Sequence, residues 1–170
     1  MTHTMTDSLL PADMVELATR VVRENAALGR RVCVAESCTG GLVAAALTEI
    51  PGSSAVLDRG FVTYSNESKQ ELLGVPEDLL DTFGAVSVAT AWAMAQGALR
   101  HSRGDVAVAI SGVAGPGGGT EFKPVGLVVF ARADRGVEEV NAEERRFPPE
   151  GSRAEIRHQA ALVALELLLP

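Results

Sequence analysis

The sequence has few of the residues that build metal centres and disulfide frameworks. Its 170 residues include two cysteines, Cys33 and Cys38, and three histidines, His3, His101 and His158. The cysteines lie five positions apart, and no second pair of ligands accompanies them, so the pattern does not support a zinc site. The scattered histidines disfavour a histidine-based triad. We therefore expect no metal site and a reduced, cytoplasmic chain.

Clustered positive charge and long apolar runs are also missing. The chain has 15 Lys and Arg residues against 22 Asp and Glu residues, which gives a formal net charge of -7. Because no basic run occurs, a surface that follows nucleic-acid phosphates is not expected. No apolar run reaches about 18 residues, and the first ten residues lack the basic and apolar segments of an export signal. We therefore predict that the protein does not bind nucleic acid, is not inserted into a membrane and is not exported.

The content of hydrophobic residues and glycine, together with the chain length, indicates one α/β domain. Hydrophobic residues make up 46% of the chain, aromatic residues only 4%, and there are 17 glycines. A chain of this length forms a core of normal size without disulfides. We predict a disordered tail over residues 1–10 and a single domain over residues 11–170. Homo-oligomer formation is left open.

Apolar periodicity and turn residues predict helices that alternate with strands. The predicted last two strands form a hairpin, and the second carries charges on alternate residues, as expected of an edge strand. Because helices separate most strands, we expect a three-layer α/β/α fold with a mixed, largely parallel sheet. The predicted helices cover residues 8–28, 39–50, 69–73 and 87–100 and a segment after Pro149; the predicted strands cover 31–36, 56–65, 105–111, 125–132 and 137–147.

The first candidate site follows the first predicted strand, where ligands bind in open α/β sheets. Ser37 lies between a strand and a helix, so free N–H groups at the helix start could stabilise an oxyanion formed by its attack. Gly40 and Gly41 leave room for a substrate. Helix capping by Ser37 or Thr39 explains the same spacing and is favoured on spacing alone. Cys38 is a rival nucleophile, although a small, partly buried residue is the simpler interpretation.

A serine that lacks a histidine base needs another proton acceptor. A lysine held neutral by burial is the known alternative, sometimes acting through a tyrosine hydroxyl. Tyr64, the only tyrosine, and Lys69 follow the second predicted strand. Taken alone, such a pair is more often a residue at the core edge and a solvated surface residue.

A second candidate site is the loop over residues 111–120, which has five glycines around Pro116. It matches neither a P-loop nor a dinucleotide-binding fingerprint, but it can form a backbone nest for an anion. A flexible connection explains it equally well. Arg153 precedes Ile156 by three positions, so the spacing predicts that it lies on the apolar face of the last helix. Arg153, like Arg157, could bind a phosphate or cover the core rim with its stem.

Taken together, three segments resemble the CinA C-terminal domain family over residues 15–168. They are residues 36–41, residues 59–66 with Lys69, and residues 112–118 with 123–126. The resemblance implies a nicotinamide mononucleotide amidohydrolase that forms nicotinate mononucleotide and ammonia from a small-molecule nucleotide substrate, without a cofactor. Many family members carry a second, N-terminal domain. This chain begins only about ten residues before its first predicted helix, so we expect it to act as a stand-alone deamidase.

The resemblance also implies roles for individual residues. Ser37 would be the nucleophile, Lys69 the general base, and Tyr64 a relay or orienting hydroxyl. Two alternatives remain open: a non-catalytic nucleotide-binding module with a regulatory role, and a hydrolase for another small amide or ester. The substrate-binding residues implied by the resemblance and by the two loops are Thr39, Gly40, Gly41, Ser111, Gly115, Pro116, Gly117, Gly118 and Arg153.

Overall fold

The structure is a computed structural model that describes residues 7–170. Most of the predicted tail, residues 1–6, lies outside the described residues. Near the start of the described part, the Leu9 N–H donates to Glu49 Oε1 at 3.1 Å. Leu10 packs against the core. These last residues of the predicted tail therefore contact the domain.

Helices and strands alternate along most of the chain. Ser87 and Ser152 cap the helices that follow them by accepting the backbone N–H groups of Thr90 and Glu155, as short polar side chains at helix starts commonly do. The helices are α1 (Ala12–Ala27), α2 (Leu42–Thr48), α3 (Asn66–Leu73), α4 (Glu77–Phe83), α5 (Val88–Arg100) and α6 (Arg153–Leu167), with a 3₁₀ turn at Ser53–Ala55; the strands are β1 (Val32–Glu36), β2 (Leu57–Val62), β3 (Val106–Gly112), β4 (Leu127–Asp134) and β5 (Asn141–Arg146).

The five strands form one sheet in the order β2-β1-β3-β4-β5. Strand β1 pairs in parallel with β2 and β3, whereas β4 pairs antiparallel with β3 and with β5. The predicted mixed α/β sheet is confirmed. The charged β5 lies at one edge, as its alternating charges predicted.

Each buried strand contributes to two hydrophobic cores, one on each face of the sheet. In β1, Val32 and Val34 belong to the core shared with α1, α2 and α6. Their neighbours Cys33 and Ala35 belong to the core shared with α5. This alternation follows from the two-residue period of a strand, and it produces the three layers.

Some predicted boundaries were wrong. Helix α2 begins at Leu42 rather than at residue 39, because Gly40 and Gly41 have φ values of 60° and 102°, which belong to a left-handed turn. Strand β5 begins at Asn141 rather than at residue 137, and α4 was not predicted. Within residues 7–170, no helix combines the length and the apolar character that crossing a bilayer requires.

Candidate active site

The candidate site lies at the sheet edge where β1, β2 and β3 end. Because these strands are parallel, their carboxyl ends meet there. A cavity of about 310 Å³ opens at this edge. It is lined by Ser37, Cys38, Tyr64, Lys69, Ala85, Val86, Ser111, Gly112, Val113, Ala114, Gly115, Gly117, Gly118 and Arg153.

Ser37 and Lys69 are in direct contact at the bottom of this site. Ser37 follows β1 directly, and its main-chain N–H donates to the Ile110 carbonyl at 2.9 Å, which extends the sheet by one residue. Lys69 lies one turn into α3, whose first residues follow the end of β2. Its Nζ lies 3.2 Å from Ser37 Oγ, and only 1% of Lys69 is exposed.

Two main-chain carbonyls also accept hydrogen bonds from Lys69 Nζ. Nζ donates to the Thr63 oxygen at 2.9 Å and to the Tyr64 oxygen at 3.2 Å. Burial lowers the pKa of Lys69 from its ordinary value of 10.5, while Cys38 and Glu67 oppose this shift. A neutral amine has two N–H donors and one lone pair. The two carbonyls can take both donors, which leaves the lone pair for the Ser37 hydroxyl proton.

Cys38 borders the cavity but is poorly suited to be a nucleophile. Burial raises the pKa of its thiol to about 11, although hydrogen bonding by its own backbone N–H opposes the shift. With a pKa of about 11, roughly one molecule in 10⁴ carries the thiolate at neutral pH. This favours Ser37 over Cys38.

The start of α2 differs from the sequence-based expectation that its N–H groups are free. Glu36 is fully buried, and its carboxylate oxygens accept the N–H groups of Val43 at 3.0 Å and Ala44 at 3.1 Å. Any oxyanion donors must therefore come from elsewhere, because a buried carboxylate already holds the first turn of α2. The sequence pattern gave no sign of this role for Glu36.

Thr39, Gly40, Gly41 and Pro116 do not line the cavity, and their expected contact with substrate stays a prediction. The chain turns away from the cavity after Cys38. The Gly40 N–H closes the turn by donating to the Ser37 carbonyl at 3.0 Å. Thr39 is fully buried.

Arg157 binds the outer side of the same turn. Its Nε donates to the Cys38 carbonyl at 3.0 Å, and its Nη2 donates to the Thr39 carbonyl at 3.3 Å. The sequence left Arg157 with two interpretations, a phosphate ligand or a cover for the core rim. Its guanidinium instead binds main-chain oxygens of the turn that carries Ser37.

Arg153 and Tyr64 meet at the mouth of the cavity. Arg153 Nη1 donates to the Gly115 carbonyl at 2.7 Å, and Nη2 donates to the Tyr64 hydroxyl at 3.0 Å. Arg153 is exposed although it precedes the buried Ile156 by three positions, because it is the first residue of α6. Tyr64 reaches Lys69 through its main-chain carbonyl, while its hydroxyl binds Arg153.

The opposite wall consists of the glycine-rich loop and residues before α5. Ser111 is 1% exposed, and its hydroxyl donates to the Ala85 carbonyl at 2.8 Å, which joins the end of β3 to this segment. Gly115 has a φ of 77°, and a Cβ there would lie 2.6 Å from Val125 Cγ1, so both the backbone and the space require glycine. Ala85 and Val86 were missed by the sequence analysis.

Comparison with known proteins shows the family of the chain. The family model of the CinA C-terminal domain matches residues 14–170. The chain belongs to the CinA C-terminal domain family. A crystal structure of competence/damage inducible protein CihA from Agrobacterium tumefaciens is similar, with 54% identity, a TM-score of 0.91, and coverage of 95% of this chain and 96% of that one.

Relatives in this family differ in length. A nicotinamide-nucleotide amidohydrolase PncC of Escherichia coli is 48% identical over 164 residues, which cover 96% of this chain and 95% of that protein. A putative competence-damage inducible protein of Caldicellulosiruptor bescii is 51% identical over 138 residues, which cover 81% of this chain but 33% of that protein. The chain thus matches about a third of the length of some curated relatives and nearly the whole length of others.

Proposed function

We propose that this protein hydrolyses the carboxamide of nicotinamide mononucleotide to nicotinate mononucleotide and ammonia. The observation that carries the proposal is the buried Lys69 Nζ, 3.2 Å from Ser37 Oγ in the cavity at the carboxyl ends of the strands. The substrate follows from the resemblance to the amidohydrolase of Escherichia coli. The mechanism follows from the chemistry of the two side chains.

The first step forms a tetrahedral intermediate, whose collapse in the second step gives the acyl-enzyme. Ser37 Oγ attacks the carboxamide carbon while its proton passes to the lone pair of Lys69 Nζ. The Lys69 ammonium then has three oxygen acceptors within hydrogen-bond distance, namely Ser37 Oγ and the carbonyls of Thr63 and Tyr64. These contacts stabilise the charge that the amine gains.

The second step expels ammonia. The tetrahedral intermediate collapses, the carbon–nitrogen bond breaks, and Lys69 returns its proton to the leaving nitrogen. A water molecule then attacks the ester carbonyl and gives a proton to Lys69, and that proton returns to Ser37 Oγ as the ester bond breaks. One water is consumed, and nicotinate mononucleotide and ammonia are released.

Arg153 is suited to bind the substrate phosphate. Its guanidinium lies at the cavity mouth, and within residues 7–170 its two hydrogen bonds are to neutral oxygens, those of Gly115 and Tyr64. Nε and the remaining N–H groups can therefore donate to a phosphate. In this proposal, Tyr64 orients Lys69 through its carbonyl and Arg153 through its hydroxyl.

The proposal is tested by measuring ammonia release from nicotinamide mononucleotide. The wild type should turn over the substrate, Ser37→Ala should lose roughly 10³-fold or more in kcat, and Cys38→Ala should retain most of the rate. Nicotinamide riboside, which lacks the phosphate, should react with a raised KM. Full activity of Ser37→Ala together with loss in Cys38→Ala would make Cys38 the nucleophile.

The alternative of a binding module is tested with the same proteins. Calorimetry of wild type and Ser37→Ala with nicotinamide mononucleotide measures binding without chemistry. If both bind the nucleotide and the wild type releases no ammonia, the protein is a nucleotide-binding module rather than an amidohydrolase.

A further inference from the structure

Arg157 joins α6 to the turn that carries the candidate nucleophile. The side chain spans 118 to 119 positions in sequence to reach two consecutive carbonyls, those of Cys38 and Thr39. A guanidinium holds its N–H donors in a rigid planar fork, so two such contacts fix the orientation of the acceptors as well as their position. The turn is therefore held from outside the cavity.

The contact with the Cys38 carbonyl determines where another group points. The carbonyl of Cys38 and the N–H of Thr39 belong to one planar trans peptide unit, in which they point in opposite directions. Because Arg157 binds the carbonyl, the Thr39 N–H is directed away from Arg157. Hydrogen bonds to that carbonyl also polarise the peptide unit and strengthen its N–H as a donor.

The turn keeps donors that are not otherwise used. Among residues 7–170, no oxygen accepts the main-chain N–H of Thr39, and the only group that accepts the Cys38 N–H is its own sulfur. By contrast, the N–H groups of Val43 and Ala44 in α2 are bound by Glu36. Thr39 is fully buried and does not line the cavity, whereas Cys38 does, so the Cys38 N–H is the donor next to Ser37 that a substrate in the cavity can reach.

The fit between Arg157 and the turn is tight. A Cβ at Gly40 would lie 3.3 Å from Arg157 Nη2, and Gly40 has a φ of 60°. A side chain at this position would strain the backbone and press on the guanidinium. Arg157 and Gly40 therefore act together to set the shape of the turn.

We infer that Arg157 is a positioning residue, which holds the turn after Ser37 so that the main-chain N–H of Cys38 donates a hydrogen bond to the oxyanion formed on attack by Ser37. The inference rests on the proposed amide hydrolysis, and it adds the source of oxyanion stabilisation. Arg157 acts through the main chain and does not touch the substrate. Its loss should therefore weaken the transition state more than substrate binding.

The test compares kcat with KM for nicotinamide mononucleotide in Arg157→Lys and Arg157→Ala. Arg157→Lys keeps the charge but cannot reproduce the fork. We expect kcat to fall roughly 10- to 100-fold, somewhat less than the roughly 10²- to 10³-fold cost of removing an oxyanion donor outright, with KM little changed. Added guanidinium, far below denaturing concentration, should restore part of the rate of Arg157→Ala.

A matched control is Arg20→Lys. Arg20 is an exposed arginine on α1 whose partner is Glu24, one turn along the same helix. This variant should keep both kcat and KM. If Arg157→Lys also keeps its kcat, the inference is wrong. It is equally wrong if kcat falls only in step with a lowered melting midpoint and guanidinium restores nothing.

A second measurement separates this inference from the proposed substrate. An alkyl fluorophosphonate reacts with Ser37 Oγ by forming an oxygen–phosphorus bond and releasing fluoride, and its phosphoryl oxygen needs the same donors. Slower labelling in Arg157→Lys than in Arg20→Lys supports the inference even if the wild type releases no ammonia, in which case only the proposed function fails. If the wild type neither labels at Ser37 nor releases ammonia, both proposals fail.

Discussion

Two ionisable side chains are shielded from water at opposite ends of β2, and their surroundings differ. Asp58 lies near the start of the strand with a side chain that is 5% exposed. Lys69 lies beyond the end of the strand and is 1% exposed. Both are shielded from water, but only Asp58 is surrounded by groups of opposite charge.

The surroundings of Asp58 favour its charged form. The Arg103 N–H donates to Asp58 Oδ2 at 2.9 Å and is the main reason that the carboxyl pKa is lowered from 3.8. The guanidinium groups of Arg59, Arg31 and Arg103 lie 3.0, 3.7 and 3.9 Å away. Asp58 is therefore held as a carboxylate that joins the start of β2 to the segments before β1 and β3.

The surroundings of Lys69 do not fix its charge. Within residues 7–170 its three acceptors are a hydroxyl and two carbonyls, all neutral, and burial lowers its pKa. The comparison shows that burial alone does not make a residue structural. A buried charge with ion partners stabilises the fold, whereas a buried amine with neutral partners is suited to gain and lose a proton.

The largest expected effect comes from removing the proposed base. Lys69→Met should lower kcat for ammonia release by roughly 10²- to 10⁴-fold, the usual contribution of a general base. Lys69→Arg should be similarly inactive, because a guanidinium keeps its proton at all accessible pH values. An active Lys69→Arg would show that a permanently charged residue supports the reaction. Lys69 would then not differ from Asp58 in needing to gain and lose a proton.

The pH dependence of wild-type activity tests the assignment of Lys69 as the general base. Because the neutral amine is the proposed base, kcat/KM should rise with pH through the lowered pKa of Lys69 and level off above it. A rate that is independent of pH in this range, with Ser37 still required, would contradict a titrating Lys69.

The next effect concerns the ion pairs of Asp58. Asp58→Asn should lower the free energy of unfolding at neutral pH by about 1–3 kcal/mol, because charge-assisted hydrogen bonds are lost. Its kcat should match that of the wild type, since Asp58 lies at the other end of β2. Chemical denaturation and ammonia release measure the two properties.

The pH dependence of Asp58→Asn sharpens this expectation. The pKa of Asp58 is lower in the folded state, so its stabilisation is present above its ordinary pKa of 3.8 and is lost as the pH falls through the folded pKa. The difference in free energy of unfolding between Asp58→Asn and the wild type should therefore become smaller at acidic pH. If Asp58→Asn loses the same free energy of unfolding at pH 3 and at pH 7, packing and not charge explains the loss of stability.

The smallest effect is the pH dependence of stability in Lys69→Met. Folded Lys69 loses its proton more readily than unfolded Lys69, so between the two pKa values the unfolded chain binds more protons, and stability rises with pH. The methionine variant lacks this contribution. Its stability relative to that of the wild type should therefore fall as the pH rises toward 10.5, the ordinary pKa.

The informative quantity is how the difference in free energy of unfolding between Lys69→Met and the wild type changes with pH, and not the size of that difference at one pH. Methionine leaves the carbonyls of Thr63 and Tyr64 without the Nζ donor, which changes stability by a similar amount at every pH. Urea denaturation of both proteins at several pH values separates the two contributions. A constant difference between pH 7 and pH 10 would show that Lys69 has an ordinary pKa in the folded protein.

The layered fold was largely predictable from residue patterns. The continuous apolar run of β3 predicted a strand covered on both faces, and all of its residues from Val106 to Ser111 are buried. The capping of α5 by Ser87 was also predicted and is confirmed. The irregular segment before β5 was missed because valine and alternating charge suit an extended chain whether or not a neighbouring strand pairs with it.

The candidate site was predictable only in part. Ser37, Lys69, Ser111 and Arg153 could be chosen from motifs, and the structure brings them to one cavity. Thr39, Gly40, Gly41 and Pro116 were expected to face the substrate, but a loop motif alone does not reveal which side of the loop faces the cavity. The roles of Glu36 and Arg157 depend on contacts across the fold, which no local pattern encodes.

The sequence by itself determined the layers, because strand and helix periods are local properties of the chain. It also placed Ser37 and the glycine-rich loop after parallel strands, which brings them to the same sheet edge. Only the tertiary structure decided the state of Lys69. Its burial, its neutral acceptors and its distance of 3.2 Å from Ser37 arise where β1, β2 and α3 meet. A pKa depends on such surroundings, and residues distant in sequence supply them.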